Sequence, residues 1–129
     1  MNTAHGKDNP QVIITGTSRG IGYHLALRFL AEGYDVIGIS RSETEINNPG
    51  FSSFKADVGN VDAIHELCAQ LKDLTVIGLI NNAGVGHFES VANQSIEDWQ
   101  QVIDTNLSGV FYACRAAIPQ MRERGAGWI

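Results

Sequence analysis

Cysteine is scarce in this chain, and clusters of basic residues are lacking. The two cysteines, Cys68 and Cys114, lie far apart in apolar segments with helical periodicity, so we expect two buried, reduced thiols and no disulfide. The net charge of −5 comes without any run of Lys and Arg, which argues against a nucleic-acid partner. The 129 residues, with a hydrophobic content of 43%, are enough for one globular domain and too few for two.

Long apolar runs are also missing. No stretch reaches the roughly 18 consecutive apolar residues of a membrane-spanning helix, so no membrane association is expected. Residues 1–8 are polar and lack the apolar centre of a signal peptide, which together with the reduced thiols predicts a cytoplasmic protein. Residues 1–10 are expected to form a flexible lead-in, and no metal site is predicted.

A glycine-rich turn lies between an apolar run, Val12-Ile13-Ile14, and a segment with helical periodicity. It reads Thr15-Gly16-Thr17-Ser18-Arg19-Gly20-Ile21-Gly22. Glycines allow a tight turn and a close approach of the backbone to a ligand, and the N-terminus of the following helix attracts phosphate. The spacing is G-x-x-x-G-x-G rather than the common G-x-G-x-x-G, so a helix-capping loop without a ligand is the alternative. The position between strand and helix favours dinucleotide binding.

The hydrophobic pattern alternates between strand-like and helix-like segments. Strands are predicted at residues 11–15, 35–40, 51–56 and 75–80, and helices at residues 20–31, 60–73 and about 96–123, with Trp128-Ile129 as the start of another strand. This order predicts an α/β protein with a parallel sheet. Residues 41–50 are short for a parallel crossover, so an irregular or short helical connection is expected there. The first helix has an apolar stripe formed by Ile21, Leu25, Phe29 and Leu30.

Four sequence motifs occur in order along the chain. They are Thr15-Gly16-x-x-x-Gly20-Ile21-Gly22, then Asp57 after the third strand, Asn81-Asn82-Ala83-Gly84 after the fourth, and Asn106 within Thr105-Asn106-Leu107-Ser108-Gly109-Val110-Phe111. With these motifs, residues 10–129 resemble the classical short-chain dehydrogenase/reductase family, and most of all its 3-oxoacyl-acyl-carrier-protein reductase type. The resemblance implies a Rossmann-type doubly wound parallel sheet of strand order 3-2-1-4, truncated after about four strands with the start of a fifth. Residues 1–129 would then form a single incomplete dinucleotide-binding domain.

The resemblance also implies a role for each motif. It assigns cofactor binding to Gly16, Ser18, Arg19, Gly20, Ile21, Gly22, Arg41, Asp57, Val58, Asn82, Ala83 and Gly84. In the family, an Asp at the position of Asp57 contacts the adenine ring, and a plain N-cap for the helix at residue 60 is the alternative. The motif at residues 81–84 would line the ribose side of the cofactor, or would be an ordinary turn after a strand.

Asn106 is a polar residue in an otherwise apolar helical stripe. A solvent-facing side chain is the simple explanation. In the family the matching Asn interrupts the helix and holds a water in a proton relay, so the resemblance makes Asn106 a catalytic residue. His87 lies in the loop after the fourth strand, near the expected mouth of the site, and is interpreted as a loop histidine rather than a substrate ligand.

The charge at the end of the second strand indicates the choice of cofactor. Family members that prefer NAD carry an acidic residue there, which accepts hydrogen bonds from the ribose hydroxyls. This chain has Ser40 followed by Arg41, and Arg19 adds a second positive charge in the glycine turn. A guanidinium binds a 2′-phosphate that a carboxylate would repel. The prediction is therefore NADP(H), with NAD less favoured, although each arginine alone would also fit a solvated surface position.

The family's catalytic Ser and Tyr-x-x-x-Lys pair follow the fifth strand, and this chain has no matching pair. None of Tyr23, Tyr34 and Tyr112 is followed by Lys four residues later. The expected function is the NADP(H)-binding N-terminal half of a reductase. An intact form would transfer hydride between NADPH and a small carbonyl or alcohol substrate, whereas this chain alone is expected to be inactive. A non-catalytic nucleotide-binding or interaction module and a nonfunctional remnant are the alternatives.

Relatives pair through the helix near residue 96, which adds a homo-oligomer to the expected partners.

Overall fold

A parallel sheet of four strands forms the centre of the protein. The computed structural model describes residues 9–129, so most of the predicted lead-in at residues 1–10 lies outside the described residues. The strands are β1 (Gln11–Thr15), β2 (Asp35–Ser40), β3 (Phe51–Lys55) and β4 (Val76–Ile80), in the spatial order β3-β2-β1-β4. Every residue of β1 and β2 is buried, as expected for central strands of a parallel sheet that is covered on both faces.

Helices cover both faces of this sheet. They are α1 (Gly20–Ala31), α2 (Val61–Leu71), α3 (Ile96–Ile103) and α4 (Gly109–Arg124), and a π-helical segment (Asp104–Ser108) joins α3 to α4. On one face, Ala26 of α1 packs in a cluster with Val12, Ile14 and Val36. On the other face, α2 and α4 contribute to a larger cluster that includes Ile13, Ile37, Ile64, Leu67, Leu79, Ala113 and Ala117. None of the helices within residues 9–129 has the length and apolar character needed to cross a membrane.

The strand order confirms the predicted Rossmann-type doubly wound α/β fold. The start of a fifth strand is also present, because Trp128 pairs in parallel with Gly78 of β4. The Trp128 N–H donates to the Ile77 carbonyl at 3.1 Å, and the Leu79 N–H donates to the Trp128 carbonyl at 3.1 Å. The Trp128 ring lies so close to Gly78 that a Cβ at that position would overlap it, so Gly78 makes room for the ring.

The helical segments differ from the predictions in two ways. Ile21 does not belong to the buried stripe of α1, because its side chain is 73% exposed at the carboxyl edge of the sheet. The single helix predicted for residues 96–123 is interrupted by the π-helical segment, as the resemblance implied for the position of Asn106.

The predicted irregular connection at residues 41–50 is confirmed and contains no helix. The two cysteines are free, as predicted, but are half-buried rather than buried.

Candidate functional site

A cleft of about 840 Å³ lies at the carboxyl ends of the strands. In open α/β sheets, ligands bind at this edge, where neighbouring strands connect to opposite sides of the sheet. The predicted cofactor positions that line the cleft are Gly16, Ser18, Arg19, Gly20, Ile21, Arg41, Asp57, Val58, Asn82, Ala83 and Gly84. Gly22 and Asn106 are the predicted site residues that do not line it. Positions that the prediction missed are Ile39, Ser40, Ser42, Ala56, Val85 and Thr105.

The glycine turn depends on the absence of side chains at two of its positions. Gly16 has a φ of 75°, and a Cβ there would lie 2.9 Å from the Ala83 Cα. A Cβ on Gly22 would overlap the Gly16 carbonyl oxygen, so Gly22 allows the first turn of α1 to pack against the glycine turn. Gly22 thus shapes the cleft from behind, which explains why it is buried and does not line the cleft.

Helix α1 begins at the cleft without a capping side chain. Its N-cap residue, Arg19, makes no side-chain hydrogen bond to the helix, and its first turn contains no acidic residue. The other helices that begin after a loop are capped, because Asn60 accepts hydrogen bonds at the start of α2 and Ser95 at the start of α3. Among residues 9–129, the first N–H groups of α1 therefore have no capping side chain at a place where the helix dipole favours an anion.

Asn82 joins the loop after β4 to the end of β1. Its side-chain amide donates to the carbonyls of Thr15 at 3.1 Å and Gly16 at 3.2 Å. In the opposite direction, the Thr15 hydroxyl accepts the N–H groups of Asn82 at 3.0 Å and Ala83 at 2.9 Å. Thr15 was not predicted as a site residue. The signal for it was a hydroxyl at the end of an otherwise apolar strand.

Asp57 does not cap α2. Its Oδ1 atom accepts the Gly59 N–H at 2.9 Å, whereas Asn60 accepts the N–H groups of Asp62 and Ala63 at 3.1 Å each. The N-cap alternative for Asp57 is therefore wrong. The carboxylate is exposed and lines the cleft, so its second oxygen is available to a ligand.

Asn106 lies in the π-helical segment between α3 and α4. Its side chain accepts the Val85 N–H at 2.9 Å and donates to the Val85 carbonyl at 2.8 Å. This pair of hydrogen bonds fixes the loop at Gly84 and Val85, which forms one wall of the cleft. Asn106 is an exposed residue, but both ends of its side-chain amide are hydrogen-bonded to the backbone of a neighbouring loop. Such π-helical insertions occur frequently at functional sites.

The two arginines that were predicted to select the cofactor both line the cleft. Arg19 and Arg41 are exposed, and within residues 9–129 no carboxylate forms an ion pair with either of them. Ser40 and Ser42 flank Arg41 and also line the cleft. The lining of the cleft therefore includes two guanidinium groups and hydroxyl groups, which is a chemistry that suits a phosphate.

His87 does not line the cleft and instead contacts helix α3. Its Nε2 atom lies 2.6 Å from Oε1 of Gln101, and its Nδ1 atom lies 3.8 Å from a carboxylate oxygen of Asp98. These contacts hold the loop after β4 against α3. They agree with the interpretation of His87 as a loop histidine.

Comparison with known proteins adds to this geometry. The family model for short chain dehydrogenase matches residues 10–129. The chain belongs to this family. It is 36% identical over 129 residues to the NADP-dependent 3-hydroxy acid dehydrogenase YdfG of Salmonella typhi. It is also 36% identical over 137 residues to the 3-oxoacyl-[acyl-carrier-protein] reductase FabG of Staphylococcus aureus strain Mu50. These alignments cover 92% and 95% of the chain but 51% and 55% of the relatives, so the chain spans about half their length.

Solved structures show the same family relation. Serine dehydrogenase from Escherichia coli superimposes with a TM-score of 0.83 at 33% identity, over 91% of this chain and 58% of that protein. A closed form of serine dehydrogenase complexed with NADP⁺ has a TM-score of 0.79 at 32% identity, over 91% of this chain and 51% of that one. A 4-hydroxyisoleucine dehydrogenase complexed with NADH and succinate has a TM-score of 0.81 at 29% identity, over 89% of this chain and 54% of that protein. The similarity to the short-chain dehydrogenase/reductase family is thereby confirmed for sequence and fold.

Proposed function

We propose that this chain is the NADP(H)-binding half of a short-chain reductase and forms a single, incomplete dinucleotide-binding domain. The observation that carries the proposal is the cleft itself, which joins the uncapped N-terminus of α1 to two arginines that have no carboxylate partner among residues 9–129. NADP(H) carries two negatively charged groups that match these two features. Its diphosphate fits the helix N-terminus, and its 2′-phosphate fits the arginines.

In this proposal, each wall of the cleft contacts a different part of the cofactor. The backbone N–H groups of the glycine turn hold the diphosphate, and Gly16 and Gly22 permit the tight packing of this turn against α1 and the loop after β4. The free carboxylate oxygen of Asp57 accepts a hydrogen bond from the adenine amine. The small residues at positions 82–84 let the ribose pass next to the backbone. Arg19 and Arg41 bind the 2′-phosphate.

The bound cofactor would supply a hydride for exchange between its nicotinamide ring and a carbonyl or alcohol carbon. Asn106 contributes by holding Val85 and thereby the wall of the cleft next to Gly84. Proton delivery to the substrate oxygen needs an acid with a suitable pKa. The chain has no Tyr-x-x-x-Lys pair for this purpose. We therefore propose that residues 1–129 bind the cofactor but do not turn over substrate on their own.

Charge supports NADP(H) over NAD. The relatives do not decide the question, because one neighbouring structure contains NADP⁺ and another contains NADH. In this chain Ser40 occupies the end of β2. An acidic residue at this position would accept hydrogen bonds from the ribose hydroxyls of NAD. Arg41 follows directly, so the local charge is positive rather than negative.

Calorimetric titration of the chain with NADPH and with NADH tests the proposal. We expect the dissociation constant for NADPH to be lower. Equal constants for the two dinucleotides would refute the assignment of NADP(H), and the absence of binding would refute the site. The same preparation, with its mass verified, should not oxidise NADPH in the presence of a panel of ketones. Turnover would show that the chain has its own proton donor.

A second proposal concerns self-association through α3 and α4. Five large apolar side chains of these helices and of the π-helical segment are exposed, namely Ile96, Trp99, Leu107, Phe111 and Ile118. Several exposed apolar residues along successive helical segments are typical of a contact surface, which supports a homo-oligomer. Sedimentation equilibrium tests this proposal, and a monomer at micromolar concentration would refute it.

A further inference from the structure

Three buried hydroxyl groups connect separate parts of the cleft wall. Thr17 belongs to the glycine turn, Ser40 ends β2, and Thr44 lies in the irregular connection between β2 and β3. Their side chains are almost inaccessible, with residue exposures of 0%, 7% and 4%, respectively. Thr17 Oγ1 lies 2.9 Å from Thr44 Oγ1, and Thr44 Oγ1 lies 3.1 Å from Ser40 Oγ. Each buried hydroxyl therefore has a partner within this group.

The direction of these hydrogen bonds follows from the last of them. Ser40 Oγ donates its one proton to the Ser42 carbonyl at 2.7 Å, since a carbonyl can only accept. The Thr44 hydroxyl must then donate to Ser40, and the Thr17 hydroxyl must donate to Thr44. The result is a directed chain of three hydrogen bonds that begins in the glycine turn and ends on the backbone directly after Arg41. Hydrogen bonds in such a chain polarise and strengthen one another.

Thr44 is the central member of this chain. It is the buried residue among Arg41, Ser42, Glu43 and Glu45, which are all exposed. Its backbone N–H donates to Ser53 Oγ of β3 at 2.9 Å, which ties the connection to the neighbouring strand. The irregular connection has no helix to restrain it, so Thr44 is its anchor beside Arg41.

Strand β2 provides the space for this arrangement. A Cβ on Gly38 would lie 2.6 Å from Thr17 Oγ1, so a larger residue at position 38 would displace the Thr17 hydroxyl. The absence of a side chain at Gly38 therefore leaves room for the Thr17 hydroxyl to bond to Thr44.

We propose that Thr44 is a positioning residue that sets the preference for a 2′-phosphate over a 2′-hydroxyl. Thr44 links Thr17 of the glycine turn to Ser40, and Ser40 in turn bonds the Ser42 carbonyl, so that Thr44 holds the segment of Arg41 beside the segment of Arg19 and both guanidinium groups can reach one phosphate. This inference rests on the proposed NADP(H) binding. Thr44 itself does not line the cleft, so it acts through Arg41.

The test compares dissociation constants for NADPH and NADH in the chain and in Thr44→Val, which keeps the shape of the side chain but removes the hydroxyl. We expect the preference for NADPH to fall about three- to fivefold, because a residue that acts through Arg41 cannot contribute more than Arg41 itself, with the NADH constant changing less than about twofold. Thr44→Ser restores the hydroxyl and should restore the preference. Thr75→Val at the opposite end of the sheet is the matched control and should retain it.

The outcomes separate the two proposals. If the unaltered chain does not prefer NADPH, the proposed function fails and this inference fails with it. If the unaltered chain prefers NADPH and Thr44→Val keeps the same preference, the inference alone is overturned. Equal weakening of both dinucleotides, or a Thr44→Ser variant that behaves like Thr44→Val, would show a merely structural role and would also overturn it. Circular dichroism checks folding, and Thr44→Ala provides a second removal of the hydroxyl where the valine variant does not fold.

Discussion

Replacing Arg41 with Ala will weaken NADPH binding and leave NADH binding nearly unchanged. Arg41 follows the last residue of β2 and lines the cleft, and no carboxylate within residues 9–129 forms an ion pair with it. Its guanidinium is therefore available to a 2′-phosphate. NADH has a hydroxyl at that position, so it has no phosphate that the arginine can bind.

The magnitude follows from the exposure of the two arginines. A hydrogen bond to a charged group contributes about 1.5–3 kcal/mol, and solvent screening reduces this value at an exposed position. Both Arg19 and Arg41 are exposed. We therefore assign about 1–1.5 kcal/mol to each arginine and about 2–3 kcal/mol to the pair. Loss of Arg41 alone should raise the dissociation constant for NADPH about five- to tenfold.

Isothermal titration calorimetry at low and high salt measures this effect. The difference between the unaltered chain and Arg41→Ala should shrink as salt rises, because the interaction is between exposed charges. Arg28→Ala is the matched control, since Arg28 is an exposed arginine of α1 that pairs with Glu32 at 2.6 Å and does not line the cleft. The reasoning is refuted if Arg41→Ala weakens both dinucleotides equally, or if Arg28→Ala has the same effect.

Three further predictions concern other parts of the site and the core. Gly22→Ala should lower the free energy of unfolding by about 1–3 kcal/mol, because the added methyl group overlaps the Gly16 carbonyl; unchanged urea denaturation would contradict this. Asn106→Ala should cost about 1 kcal/mol and speed hydrogen exchange at the Val85 amide, measured by NMR; an unchanged exchange rate would contradict the contact. Burial raises the pKa of the Cys68 thiol, so less thiolate is present at pH 8, and alkylation of Cys68 should be slower in the folded chain than in urea. Equal rates would show that the thiol is accessible.

Most of the element boundaries were predictable because the sequence separates its elements clearly. The strand at residues 35–40 and the helix at residues 20–31 were predicted with the bounds that the structure has. Gly33 lies between them with a φ of 88°, a conformation that suits glycine and ends a helix. The apolar centre of β2 next to such a turn leaves little choice of boundary. The strand order was predicted from the family resemblance rather than from periodicity.

Apolar periodicity was a poorer guide to burial near functional surfaces. Ile21 and Phe111 both fit a helical apolar pattern, yet both are exposed. Ile21 lies at the cleft, and Phe111 lies on the face of α4 that we propose as a contact surface. A hydrophobic pattern indicates a face that favours burial. It does not show whether the chain itself, a ligand or a second copy provides the cover.

Contacts between distant hydroxyl groups were beyond prediction from the sequence. Thr15 meets Asn82 across 67 positions, and Thr17 meets Thr44 across 27. Serine and threonine are common in loops, and only the packing of β1 beside β2 and β4 brings these particular ones together and buries them. Their importance follows from that burial, because an unpartnered buried hydroxyl is costly and these have partners along the cleft wall. The motif residues therefore predict the kind of ligand, whereas the hydroxyl groups behind them, in our proposal, determine how rigidly the binding groups are held.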